Sequence, residues 1–337
     1  MRALVYDGPH MFHIEERPLP EPGPGEVRLR TAYVGICGSD LHGYTGESGR
    51  RVPGMVMGHE ASGWVEAVGQ GVTTSVIGQA VTFNPAVACD GSCGHNVDNH
   101  CTRLRVIGVT PYYQGAFADA IVVPADRVVP LDGLSMEWGA AAEPMAVALQ
   151  AVRRAGVRLG DSVLIIGGGM IGQCIALAAR LEGAGWITVS EGIKFRRRLA
   201  MQAGFDAVTP EQVTELLPVN RAFDAVGVTA TASLAIRSLV KGGTACFVGL
   251  GRPEVSIPLF DVVVPERIIV GTFAYTDAVF RQTVEHLVAR RLDLSPLLGN
   301  VEAFDGIAAA FEDLANGQRE EVKIMLATGA PPPEPAS

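Results

Sequence analysis

Val163-Leu-Ile-Ile-Gly167-Gly-Gly-Met-Ile-Gly172-Gln-Cys-Ile-Ala-Leu-Ala-Ala-Arg-Leu181 decides the fold. Val163 to Ile166 read as a short buried strand and Met170 to Leu181 as a helix. Between them Gly167, Gly168, Gly169, Met170, Ile171 and Gly172 fit the pattern G-x-G-x-x-G, and an acidic residue, Glu191, ends the next apolar run at the expected spacing. Gly167 permits the tight turn, Gly169 lets the backbone approach a pyrophosphate, and Gly172 permits close helix packing. The helix N-terminus offers N–H donors and a favourable dipole to phosphates. The bland alternative is a glycine-rich turn without a ligand. A carboxylate at Glu191 accepts hydrogen bonds from ribose hydroxyls and repels a 2′-phosphate, which favours NAD. Lys194 and Arg196 to Arg198 could offset that repulsion if the loop curled back, with Arg196 the candidate contact. The alternative for these residues is a solvated helix face. The stretch has almost no charge and could span a membrane by length alone, but three consecutive glycines inside it favour strand then helix.

Outward from this core, the chain from Ala140 to Thr272 alternates apolar strands with helices, as a parallel sheet covered on both faces requires. Strands are expected at Trp186–Ser190, Phe223–Val226, Thr244–Val248 and Arg267–Val270, with a basic helix through Arg196–Ala200. Residues 1–145 are β-rich: Glu26–Val34 alternates with period two, Gly63–Val68 is another short strand, and Gly and Pro interrupt often. The last residues return to mixed patterning, with amphipathic helices at Val279–Arg290 and Gly306–Ala315 and a proline-rich tail from Ala330 that is expected to fray.

Of the 337 residues 48% are hydrophobic and 19% charged, enough apolar content for large cores. The net charge of -9 gives no electrostatic reason to expect nucleic acid or an anionic membrane as partner. The N-terminus lacks a secretory leader and the six cysteines are scattered, so the expectation is a cytoplasmic protein without a disulfide framework. Cys174 and Cys246 lie in apolar segments as ordinary core thiols.

Three segments carry the chemistry. They are Gly35-Ile-Cys37-Gly-Ser39-Asp40-Leu-His42, Gly58-His59-Glu60-Ala-Ser-Gly63, and Ala142-Glu143-Pro144-Met-Ala-Val-Ala. Thiolate, imidazole and carboxylate together suit zinc, and a catalytic zinc keeps three protein ligands and an exchangeable position. Taken singly, Cys37 reads as a core thiol, His59 as a hydrogen-bonded buried histidine and Glu60 as a paired acid.

Together these segments closely resemble the zinc-containing medium-chain dehydrogenase/reductase family over nearly the whole chain. The run G-H-E-x-x-G, continuing through Gly69 to Val72, is that family's zinc signature. The Glu-Pro-Met-Ala-Val-Ala run places the chain nearest the polyol branch of sorbitol, butanediol and threonine dehydrogenases. The resemblance implies an α/β protein. A GroES-like β-rich catalytic domain would occupy 1–145 and 273–337, and a Rossmann doubly wound domain binding NAD would occupy 146–272. It implies Cys37, His59 and Glu60 as zinc ligands, with Glu143 binding directly or through water. Ser39 would take the alcohol proton and pass it through a ribose hydroxyl to His42, a step that suits histidine. Asp40 would orient a ligand. Relatives assemble as homodimers or homotetramers, and Arg267 to Gly271 is the candidate contact strand.

The chain departs from the family twice. Many relatives hold a structural zinc on four closely spaced cysteines. Here Cys93 and Cys101 match the last two, while Val87 and Asp90 stand where the first two should be. Cys89 is out of register, and a local shift would bring it into a site with Asp90, His95 or His100 as fourth ligand. Polyol relatives also often carry an arginine at or near Ala274; without it a cyclitol, an aminocyclitol, a short diol or a simple alcohol stays open as substrate. Two other readings compete. A zinc-free reductase of this fold would generally lack the Cys37, His59, Glu60 set, and a non-catalytic NAD-binding protein would have no need of the relay at Ser39 and His42.

Overall fold

Val163 to Ile166 are all buried, the burial that demands an unbroken apolar run in a central parallel strand. In the computed structural model, which describes residues 1–333 except Ser75, Asn96 and Tyr112, the strand is Ser162–Ile166 and the helix Met170–Leu181, with the glycines between. Residues 334–337 of the proline-rich tail lie outside the described residues. No described helix is long and apolar enough to cross a membrane.

The chain divides into two compact units, one of Met1–Glu143, Thr276–Ala289 and Leu298–Ser337, the other of Pro144–Tyr275 and Arg290–Leu297. Set beside the boundaries expected at 145 and 272, these change at 143 and 275, and Arg290–Leu297 packs with the second unit.

In the second unit six parallel strands lie in the spatial order Asp206–Val208, Trp186–Ser190, Ser162–Ile166, Val219–Asp224, Leu239–Phe247, Ile268–Gly271. In chain order this is 3-2-1-4-5-6, the doubly wound Rossmann arrangement. Its topological switch point lies between Ser162–Ile166 and Val219–Asp224. The strand expected at Phe223–Val226 begins earlier and ends at Asp224. There the buried carboxylate accepts the N–H groups of Val226 and Gly227 at 2.9 Å each and turns the chain out of the sheet.

In the first unit the long strand Glu26–Gly35 is the hub. It pairs antiparallel with Glu60–Val68, Ala120–Pro124 and Met325–Ala327. Val27, Leu29 and Thr31 point inward with the predicted period of two, through a first register shift between Arg28 and Leu29 and up to a second between Thr31 and Tyr33. The core beneath gathers Val27, Leu29, Val65, Val81, Phe117 and Phe311. On the other face Glu66 receives Arg28 Nε and Arg30 Nε at 2.8 Å each. Burial pushes the Glu66 carboxyl up, but the two guanidinium groups outweigh it and hold it below its ordinary value. A depressed folded pKa means stability that is present above the unfolded value and lost as pH falls through the folded one. Glu66→Gln should therefore cost about 2 kcal/mol in unfolding experiments at pH 7. The gap from wild type should narrow below about pH 4, the unfolded carboxylate range; a gap that does not change with pH would reject this account.

Candidate metal and dinucleotide sites

The strand register builds the metal site. Gly35 lies opposite Glu60 on one side and Met325 on the other, so Cys37, Glu60 and Lys323 arrive at one place. Gly35 must be glycine here: a Cβ would stand 2.3 Å from Glu60 Oε2. Past Gly35 the chain turns into the helix Gly38–Tyr44, with Cys37 as its N-cap residue and Asp40 accepting the Cys37 N–H on Oδ2 at 3.2 Å. The helix is two-faced. Asp40, Gly43 and Tyr44 are buried, whereas Ser39 and His42, three residues apart, share the exposed face. Tyr44 anchors this helix by donating to Glu312 at 2.6 Å and stacking on Phe12.

The donor atoms of Cys37, His59 and Glu60 lie within 4.8 Å of one another. Glu143, in the first turn of the helix Ala142–Ala155, stands outside that compact trio, yet its charge reaches Lys323. Behind the trio is a row of buried charges. Asp40 Oδ1 lies 3.4 Å from His59 Nδ1 and 3.6 Å from Arg51 Nη2. Burial opposes ionisation of Asp40, but His59, Arg51 and the Cys37 N–H together hold its carboxyl below the usual range. Arg51 is itself buried and ties three segments together, donating to Val109 O at 2.9 Å, to Ser39 O at 3.2 Å and to Met57 Sδ at 3.1 Å. Sequence reasoning found Asp40 but missed Arg51 and Lys323. The Cys37-x-x-Asp40 spacing is a helix-start signal, whereas no local pattern marks either cation.

This donor set fits zinc. It offers one thiolate, one imidazole and one carboxylate, with His59 Nδ1 turned to the Asp40 carboxylate, which leaves Nε2 as the ligating nitrogen.

The second cysteine group also comes together. Cys89, Cys93 and Cys101 have their sulfurs within 4.8 Å, Cys93 and Cys101 being 3.6 Å apart, and the Cys89 N–H donates to Cys101 Sγ at 3.3 Å. The three sulfurs meet although Cys89 is out of register with the family's spacing. Asp90, His95 and His100, the expected candidates for a fourth donor, are not part of the group. Asp90 instead caps its own turn by accepting the Ser92 N–H at 3.1 Å. Hydrogen bonding from Cys93, the largest influence, draws the Cys89 thiol down to about 6.

In the second unit Gly169 is the N-cap residue of the helix Met170–Leu181, and a Cβ built there would meet nothing within 4 Å. Met170 and Ile171 open that helix. A Cβ on Gly172, by contrast, would lie 1.8 Å from Gly167 O. Glu191 is buried and clamps the glycine loop, Oε2 accepting the Gly168 N–H and Oε1 the Ile193 N–H, both at 2.8 Å. Arg196 Nη1 is 3.9 Å from Glu191 Oε2, and Arg197 donates to the carbonyls of Glu191 and Gly192. These two arginines thus fold back on the loop instead of forming only a solvated face.

Comparison with known proteins agrees with this architecture. Residues 23–133 match the alcohol dehydrogenase GroES-like domain and residues 170–290 the zinc-binding dehydrogenase domain. The chain is 33% identical over 330 residues to L-idonate 5-dehydrogenase of Vitis vinifera, covering 91% of this chain and 89% of that one. The crystal structure of 2R,3R-butanediol dehydrogenase from Bacillus subtilis superposes with a TM-score of 0.89 at 28% identity, covering 97% of this chain and 99% of the other. A putative zinc-binding dehydrogenase from Sinorhizobium meliloti 1021, bound to NADP, gives a TM-score of 0.90 at 27% identity, covering 97% and 98%. The chain belongs to the zinc-binding dehydrogenase family, within the zinc-containing medium-chain dehydrogenases. Among these it falls in the polyol branch, as an alcohol or polyol dehydrogenase.

Asp40→Asn should weaken zinc binding about 10- to 100-fold, because the imidazole loses the carboxylate that orients it. Competition with a chromogenic chelator measures this, and unchanged affinity would remove Asp40 from the site's supports.

Proposed function

We propose that the protein moves hydride between a secondary alcohol or polyol carbon and NAD, with zinc on Cys37, His59 and Glu60 and with Glu143 completing the site directly or through water. The observation that carries this reading is the convergence of the three donors within 4.8 Å over a buried carboxylate and cation. When bound, zinc polarises the substrate oxygen and the nicotinamide accepts the hydride. The protein's residues do the rest. Asp40 fixes the His59 ring, and Ser39 and His42, on the open face of their helix, take the hydroxyl proton and carry it away. The unit carrying these residues is the catalytic domain, and the unit built on the parallel sheet binds the cofactor. There Gly167, Gly169, Met170, Ile171 and Gly172 form the phosphate turn. Glu191 keeps a lone pair on each oxygen for ribose hydroxyls and repels a 2′-phosphate, so NAD is preferred, with Arg196 at the edge of that subsite.

Three further points belong to this reading. Cys89, Cys93 and Cys101 hold a second zinc as thiolates, its fourth position filled by a donor from solvent. Two copies join along the edge strand Ile268–Gly271, giving a homodimer or homotetramer. Leu259, Phe260, Val263 and Val264 stand exposed beside that edge, a surface that pairing would cover. The cytoplasm suits the lobe, whose thiols must stay reduced to bind metal.

The test is elemental analysis combined with NADH absorbance across a panel of diols, polyols, cyclitols and simple secondary alcohols. Expected are about two zinc per chain, alcohol-dependent NADH formation, and little signal with NADP. Zinc-free protein that still binds NAD, with no alcohol signal, would overturn the reading in favour of a binding protein.

A further inference from the structure

Lys323 is buried to 3% exposure, directly behind the proposed ligand Glu60. Its Nζ donates to Glu60 Oε2 at 2.5 Å and to Ile36 O at 2.9 Å. A buried lysine is costly unless paired, and Lys323 is paired with the Glu60 carboxylate, which sets an ammonium next to a cluster that would hold a cation of its own. That placement needs a reason, because a neutral side chain would fill the same space without bringing a second positive charge to a metal site.

We propose that Lys323 is a positioning residue that keeps Glu60 a partly engaged, displaceable metal ligand by holding one of its two carboxylate oxygens. The inference rests on the zinc reading above. The geometry limits what Glu60 can offer. With Oε2 engaged by Lys323, Oε1 is the less encumbered oxygen for metal, and the carboxylate's negative charge is shared with the ammonium. His59 faces the Asp40 carboxylate, which strengthens the imidazole as a donor, and Lys323 Nζ donates to Glu60, not to Cys37. The three ligands are thus unequal, and Glu60 is the one a substrate oxygen displaces most easily. Gly35 serves the same arrangement, since any side chain there would push Glu60 Oε2 off Lys323. Removing the cation leaves a buried carboxylate with one remaining partner, the metal, so Glu60 binds it more fully. Metal should then leave more slowly, and substrate oxygen should enter less readily.

The experiment measures zinc transfer from holoenzyme to a chromogenic chelator for wild type, Lys323→Met, Lys323→Arg, Glu60→Gln and the double variant Lys323→Met/Glu60→Gln. The phase missing from Cys37→Ser identifies this site. Lys323→Met should slow that phase about tenfold, within the range of outer-layer effects on metal affinity, and raise KM for the alcohol more than it lowers kcat. Lys323→Arg should stay near wild type. The double variant should match Glu60→Gln, because with no carboxylate left to restrain, Lys323 has nothing to act on. A mismatch there counts against the inference even if Lys323→Met alone does not fold. Equal or faster zinc loss in folded Lys323→Met would overturn the inference while leaving the zinc reading intact. So would a double variant that differs tenfold from Glu60→Gln. A wild type with no such phase would overturn both.

Discussion

Cys37→Ser should lose one zinc per chain and about 10³-fold or more in kcat/KM for alcohol oxidation, the rate equivalent of the several kcal/mol that a Lewis-acid metal supplies. Serine keeps the size and the N-cap role of Cys37 but removes the soft anionic donor, leaving one imidazole and a carboxylate already shared with Lys323. The rest of the fold should be spared. Cys37 sits at a helix start whose other supports, the Asp40 carboxylate and the Arg51 bonds to Ser39 and Val109, do not pass through sulfur. Zinc content and steady-state kinetics on the same preparation check this against a thermal melt. A variant that kept its full zinc and rate would place the catalytic metal elsewhere.

Gly172→Ala should abolish measurable NADH binding and lower the melting temperature by about 5 °C, from an overpacking penalty of roughly 1–3 kcal/mol. The new methyl would meet the carbonyl of Gly167 at 1.8 Å, and that carbonyl belongs to the turn that joins strand to helix, so relief requires moving the turn itself. Gly169→Ala makes the contrast. Nothing in the protein lies within 4 Å of its methyl, so the melt should be unchanged, while cofactor binding falls because the backbone there is what a pyrophosphate approaches. Fluorescence titration of NADH against both variants separates the two effects. Equal melting and equal binding for Gly172→Ala would show that the turn is not the dinucleotide contact.

Much of this architecture is legible in the sequence because its signals are local. The four apolar residues Val163 to Ile166, the glycine run and the helix Met170–Leu181 lie within 19 residues and each obeys its own short-range rule. The alternation in Glu26–Val34 holds until the second register shift, after Thr31, and no pattern announces either shift. Asp206–Val208 is not legible in the sequence, since three residues carry no period. Val219–Asp224 shows only its second half there, because it opens with Val-Asn-Arg, where polar side chains at a strand's entry hide its start. At the metal site the ligands were readable as a family signature, but the cations behind them were not. Arg51 and Lys323 reach the site through loop path and strand register, relations set by the folded chain and invisible in any window of sequence. The cysteine lobe shows the reverse case: its spacing looked broken, yet a turn stabilised by Asp90 and Ser92 restores the meeting of the three sulfurs.

The pairing of Met325 with Gly35 also has a consequence for how the molecule is made. Lys323 and Glu60 are separated by 263 positions. At ordinary translation speeds of 5–20 residues per second, roughly 13–50 s pass between the emergence of one and the other from the ribosome. During that interval the nascent chain has Cys37, His59 and Glu60 but lacks both the strand that seals their floor and the cation that restrains the carboxylate. The candidate metal centre therefore gains its restraining cation only after Lys323 has emerged, when the strand Met325–Ala327 pairs with Glu26–Gly35.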